Sequence, residues 1–103
     1  MLRNVYAAAA IADPIRRRVL ELVRDEELPA GAIAAQFTIS RPAVSRHLRV
    51  LKESGLVRER RAGRQRLYRA DPRPLAELRL WLDGYWAGRL DALKRLAEAE
   101  ETA

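Results

Sequence analysis

Residues 37–57, FTISRPAVSRHLRVLKESGLV, constrain this chain more than any other stretch. Ser40 supplies a hydroxyl that can accept from an orphan N–H of a first helical turn. Pro42 falls where a missing N–H costs nothing. Val44, Leu48 and Leu51 recur at helical spacing and define one apolar face. Gly55 can take the left-handed conformation that stops a helix. The pattern predicts a helix over 41–54 with both ends marked.

Stepping about 100° per residue from Val44, Leu48 and Leu51 lie within roughly 40° of it. Ser45, Arg46, Arg49 and Glu53 fall on the far side. A helix that packs by an aliphatic stripe and shows hydroxyl and guanidinium groups outward suits a DNA major groove. An ordinary solvated face would carry similar charges, so the flanking segments decide.

Charge placement is the first of them. The net charge is +6, and residues 40–70 hold ten of the 20 Arg and Lys but only Glu53 and Glu59 of the 14 acids. That segment carries +8 and leaves −2 for the rest, which suggests a polyanion-binding face. Nine of its ten cations are Arg, whose planar fork matches phosphates and guanine edges. A membrane surface would need an exposed apolar face beside the charge, and here that face is needed for a core. No apolar run approaches the ~20 residues of a membrane span, and the N-terminus lacks a signal-peptide layout, so the expected location is cytoplasmic. The chain has no cysteine, which excludes disulfides, thiolate metal sites and thiol redox sensing. Its 103 residues read as a single domain spanning 1–103.

Residues 3 to about 11 are expected to be helical from alanine propensity, with Val5, Ala8 and Ala12 as a small packing face. Asp13-Pro14 restarts the chain as N-cap and first helical residue. Ile15, Val19, Leu22 and Val23 repeat at helical spacing, with Arg16, Arg17 and Arg18 as a solvated face. Leu28-Pro29 is expected to open a third, shorter helix through Phe37, with Ile33, Ala34 and Phe37 inward, and Thr38-Ile39 forms the turn before Ser40. Helix, short turn and helix make a helix-turn-helix whose second helix reads DNA.

After Gly55 the period changes to 2. Residues 56–61 and 65–69 flank Ala62-Gly63-Arg64 and read as a basic β-hairpin, a wing beside the reading helix. A solvated edge hairpin guarded by charge is the other reading. Residues 74 to about 97 form the longest helix; Leu75, Leu78, Leu82, Tyr85, Trp86, Leu93 and Leu96 lie near one stripe, with Trp81 and Leu90 at its margins. That stripe is wider than a small monomer can cover, and aromatic residues dominate interfaces. Glu98 to Ala103 place acids at a helix C-terminus and are expected to fray.

These segments together resemble the ArsR/SmtB family of winged-helix bacterial repressors over nearly the whole length. The carrying motifs are residues 13–23 (DPIRRRVLELV), 40–57 (SRPAVSRHLRVLKESGLV), and the Gly63-Arg64 wing followed by Tyr68. The last helix, with 81–86 reading WLDGYW, looks like the metal-independent, SdpR-like autorepressors. The fold class implied is mainly α with a small β-hairpin: a winged helix-turn-helix of about five helices plus a two-stranded wing. The resemblance implies a homodimer joined by the first and last helices, residues 1–12 and 74–97. It carries DNA contact onto Arg41, Pro42, Ser45, Arg46 and the wing residue Arg64; the helical wheel independently selects Ser45, Arg46 and Arg49. The candidate DNA contacts are therefore Ser40, Arg41, Pro42, Ser45, Arg46, Arg49, Arg64 and Arg66, and the candidate dimer contacts are Leu78, Leu82, Tyr85, Trp86 and Leu93.

Metal-sensing relatives place Cys-x-Cys on the third helix, or Asp and His ligands on the last. Here residues 29–36 read PAGAIAAQ, and the last helix has Asp83 and Asp91 but no His. The one histidine, His47, lies on the reading helix and reads as a boundary packing or phosphate-contact residue. No metal, cofactor or catalytic constellation is expected. The leading expectation is a dimeric, sequence-specific repressor, controlled by its own abundance, a small-molecule effector or a regulatory protein. The alternatives are a protein-interaction module in which a partner docking on the last helix controls or replaces DNA binding, and a nonspecific architectural DNA binder.

Overall fold

The computed structural model describes residues 2–102, with side-chain surroundings for 5–101. Met1 and Ala103, which the sequence assigns to the first dimerisation segment and the fraying end, lie outside the described residues. Helix α1 (Leu2–Ile11) stops at Asp13, which begins α2 (Pro14–Leu22). The Asp13 carboxylate accepts from the N–H groups of Ile15 (2.8 Å) and Arg16 (3.1 Å), and Pro14 needs no partner at this position. The inward residues of α1 are Ala7 and Ala10 rather than Val5, Ala8 and Ala12, which are exposed. Alanines three apart let α1 lie close along α5 and α2.

Arg16 is largely covered rather than solvated, and Arg17, exposed as expected, is nonetheless anchored to the chain. Arg16 donates from Nε to the carbonyl of Ala10 (2.7 Å) and from Nη2 to that of Ala9 (3.2 Å). Arg17 donates to the carbonyls of Ile11 (2.8 Å) and Ala12 (3.2 Å). The orphan carbonyls at the end of α1 attract cations for hydrogen-bonding and dipolar reasons together. Arg18 remains on the surface and pairs with Glu21.

Leu28-Pro29 does not open a helix. It is a short strand, β1 (Leu28–Pro29), pairing antiparallel with β3 (Gln65–Ala70) in the register Leu28↔Tyr68 and Pro29↔Leu67. Pro29 is extended, at φ −71° and ψ 155°, and an edge strand tolerates its missing donor. Helix α3 is consequently only Ala30–Ala34, followed by tight turns in which Gln36 donates to Ile33 and Phe37 to Ala34. The reading helix α4 (Arg41–Glu53) matches its sequence markers at both ends. β2 (Val57–Ala62) pairs with β3 from Val57↔Ala70 to Ala62↔Gln65, so the hairpin turn is the two residues Gly63-Arg64 rather than three. Gly63 has φ +62°, the requirement for the first position of such a turn. The wing is thus part of a three-stranded sheet of order β1-β3-β2, not a free two-stranded ribbon.

Val19, Leu20, Val23, Ile33, Val44, Leu48, Leu51, Leu56, Val57 and Tyr68 meet in one core with Ala7 and Ala10. Asp71 closes it: Arg73 donates to its carboxylate from the backbone (3.1 Å) and side chain (2.7 Å), and Arg58 adds a bond from β2 (3.0 Å). This junction launches α5 (Arg73–Thr102), a helix of 30 residues that starts one residue earlier and ends later than its sequence pattern suggests. Glu98 to Thr102 are helical, not frayed, because Ala, Leu, Glu, Lys and Arg fill the last turns and their propensity outweighs the dipole. From Arg79 to Glu101 every residue of α5 is exposed.

Candidate nucleic-acid interface

The α4 N-terminus is fixed by Ser40, whose hydroxyl accepts from Ala43 N–H (3.3 Å) while its carbonyl accepts from Val44 N–H (3.1 Å). Pro42 is exposed in the first turn. At the other end Gly55, at φ +77°, forms a Schellman turn: Leu56 N–H donates to the Leu51 carbonyl (2.9 Å) and Gly55 N–H to that of Lys52 (3.0 Å). The buried Ser54 hydroxyl donates to Val50 and Leu51 carbonyls. These bonds turn the chain directly into β2, so the wing stands beside α4.

Of the eight predicted contact residues, Arg41, Ser45, Arg49, Arg64 and Arg66 line two adjoining concavities, and Ser40, Pro42 and Arg46 line neither. Arg41, Arg64, Gln65 and Arg66 line the first, together with Gly31. The Arg41 guanidinium lies across Gly31 so closely that a Cβ there would stand 3.6 Å from Nη1. Ser45, Arg49, Lys52, Glu59, Arg66 and Tyr68 line the second, between α4 and the wing. Arg66 belongs to both. Arg46 is exposed on the outer face of α4. Among the described residues, Arg41, Arg46, Arg49, Arg61 and Arg64 form no ion pair.

Strand alternation sorts the wing's charges. Arg58 and Arg60 point away from α4 and are spent on the body: Arg58 on Asp71, and Arg60 on Glu27 through two bonds of 2.9 Å. Glu59 and Arg61 share the α4 side with their cross-strand partners Tyr68 and Arg66. Glu59 takes Lys52 at 2.8 Å and Arg66 at 3.4 Å. Three members of this face, Lys52, Glu59 and Arg61, are absent from the sequence-derived set; a period of 2 counted from the buried Val57 is the signal that finds the last two.

His47 is a boundary residue. Its Nδ1 lies 3.3 Å from Nη1 of Arg16, turned toward α2 rather than into the groove. Among the described residues no group of three or more His, Cys, Asp or Glu side chains is placed to hold a metal ion, and no helix is long and apolar enough to cross a membrane.

Away from these concavities, Leu82, Tyr85, Trp86 and Leu93 are exposed along α5, and the Arg89 guanidinium sits 4.1 Å above the Tyr85 ring. Leu78 differs from the other candidate interface residues: at 9% exposure it is already covered by its own chain.

A helix-turn-helix domain family matches residues 11–60. The chain is 43% identical over 91 residues to the HTH-type transcriptional regulator Rv2034 of Mycobacterium tuberculosis, covering 88% of this chain and 85% of that one. It is 35% identical over 81 residues to the transcriptional repressor SdpR of Bacillus subtilis, covering 79% and 88% respectively. Among solved structures it is similar to the homodimeric winged helix-turn-helix DNA-binding domain of a possible ArsR-family transcriptional regulator from Mycobacterium bovis. That match has a TM-score of 0.62 at 27% identity and covers 98% of this chain and 82% of the other.

Proposed function

Because this chain belongs to the ArsR/SmtB family of winged helix-turn-helix transcriptional regulators, we propose that it is a dimeric repressor of an inverted-repeat operator. The observation that carries the reading is the juxtaposition, across one groove, of the polar face of α4 with the basic wing. Arg46, Ser45 and Arg49 read base edges in the major groove. Arg41, Arg61, Arg64 and Arg66 engage flanking phosphates, where Arg forks make charge-assisted bonds. Ser40 and Pro42 set the approach of the α4 N-terminus to the backbone.

Dimerisation uses α1, within residues 1–12, and α5, within residues 74–97. Support comes from the exposed aromatic stripe of Leu82, Tyr85, Trp86 and Leu93, and from the homodimeric state of the Mycobacterium bovis relative. Leu78 supports that stripe from beneath. Repression follows from the similarity to the Bacillus subtilis repressor, and autorepression asks for no effector site. The test is selection of bound duplexes from a random pool by the purified chain. Recovery of an inverted repeat with half-sites about 10 bp apart, or a multiple of it, supports the reading; recovery of single or directly repeated sites refutes it.

A further inference from the structure

Glu59 is out of place on a face meant for a polyanion. Its side chain is only 17% exposed, and it lies between Lys52 of α4 and Arg66 of β3, at 2.8 Å and 3.4 Å. The Lys52 hydrogen bond and the nearby Arg66 and Arg61 hold the Glu59 carboxyl below the usual carboxylate range, so it is ionised at neutral pH. Both cations are more than half exposed, and water alone would satisfy them. Pairs of this kind add little to stability. Their effect on a phosphate is larger, since Glu59 repels it and occupies two of the groups that would bind it.

We propose that Glu59 limits sequence-independent DNA binding by withholding Lys52 and Arg66 from phosphates, and so widens the gap between operator and bulk DNA. The proposal rests on the DNA-binding reading above. Nonspecific affinity grows with the number of phosphates neutralised and counterions released. Specificity is a difference of affinities and improves when the wrong complex is weakened. On a passing duplex the preformed pairs keep both cations. On a duplex seated by α4, phosphates held at the groove mouth compete for them. Glu59 is a positioning residue here, acting through the cations it holds.

The experiment is a salt series of equilibrium binding to a mixed-sequence duplex and to the tightest duplex recovered by selection. Glu59→Gln keeps the shape and removes the charge. It is expected to tighten mixed-sequence binding about two- to fivefold, and to steepen the log–log salt slope by about 0.9 for each cation released. Operator binding changes less, so the ratio of the two falls. Made within a Lys52→Met/Arg66→Gln background, Glu59→Gln is expected to give no gain over that double variant, whereas an effect of the Glu59 charge that does not act through these cations would persist there. Glu59→Ala serves as a second variant, with thermal melting to check the fold of each. A folded Glu59→Gln or Glu59→Ala chain with unchanged or weaker mixed-sequence binding and an unchanged slope overturns the role of Glu59. A wild-type chain that binds neither duplex overturns the DNA-binding reading itself.

Discussion

Trp86→Ala is expected to separate the two subunits of the proposed dimer. In the single chain the indole is 47% exposed and packs edge-on against Tyr85, with ring centroids 5.3 Å apart and planes at 89°. A large aromatic side chain presents at most ~250 Å², so about 120 Å² of Trp86 is left for a partner to cover. At ~25 cal/mol per Å² that area is worth about 3 kcal/mol for one ring. With one ring fully covered by the partner, the dimer dissociation constant should rise by about 100-fold. Sedimentation equilibrium over a concentration series measures it directly. Operator affinity should fall in parallel, because a lone subunit loses the linked second half-site. The fold of the subunit should survive, since Trp86 takes no part in the core. The reasoning is refuted if wild-type protein sediments as a monomer at micromolar concentration while binding an inverted repeat tightly, or if Trp86→Ala dimerises like wild type.

Two further outcomes follow from the geometry. Arg64→Ala, at the wing tip, should weaken operator and mixed-sequence binding alike and shallow the salt slope by about 0.9 per subunit; a sequence-selective loss would assign Arg64 to base reading instead. Asp71 is held well below the usual carboxylate range, chiefly by the Arg73 side chain. Its contribution to stability is therefore complete above the unfolded carboxylate pKa of about 3.9 and is lost as pH falls below that toward the folded value. Asp71→Asn should cost about 1–2 kcal/mol at neutral pH and flatten the acid limb of a urea-unfolding series, whereas an unaltered acid limb would show that the Arg58–Asp71–Arg73 junction carries no such stability.

The parts of this fold that were legible in the sequence are those whose chemistry is local. Ser40 caps the residue three ahead, and Gly55 bends the chain within one turn, so the bounds of α4 follow from neighbours alone. Leu28-Pro29 is different: its partners are Tyr68 and Leu67, about forty positions away, and nothing nearby distinguishes an edge strand from a helix start. Arg16 and Arg17 have ordinary helical spacing, and only the angle between α1 and α2 aims them at the carbonyls of Ala9 to Ala12. The basic groove was visible as a charge excess over residues 40–70, but a charge count cannot say which cations are free. Arg58 and Arg60 are tied to Asp71 and Glu27, while the next residue, Arg61, is not. That division comes from strand register, as does the placement of Glu59. The α5 stripe was legible because its residues share one helical face, yet its inner end was not: Leu78 is buried where α5 runs beside the rest of the chain, with α1 packed along it.

The central claim is that α4 reads base edges while the wing holds the backbone, and Arg46 tests it most directly. Arg46 is exposed on the outer face of α4 and, among the described residues, has no ion pair to lose. Equilibrium binding of wild type and Arg46→Ala should be compared on the selected operator and on a mixed-sequence duplex at one salt concentration. Arg46→Ala should lose about 1–3 kcal/mol on the operator, relax preference at one base position, and lose much less on mixed sequence. Equal losses on the two duplexes would make Arg46 a phosphate contact and contradict the assignment of α4 as the reading helix.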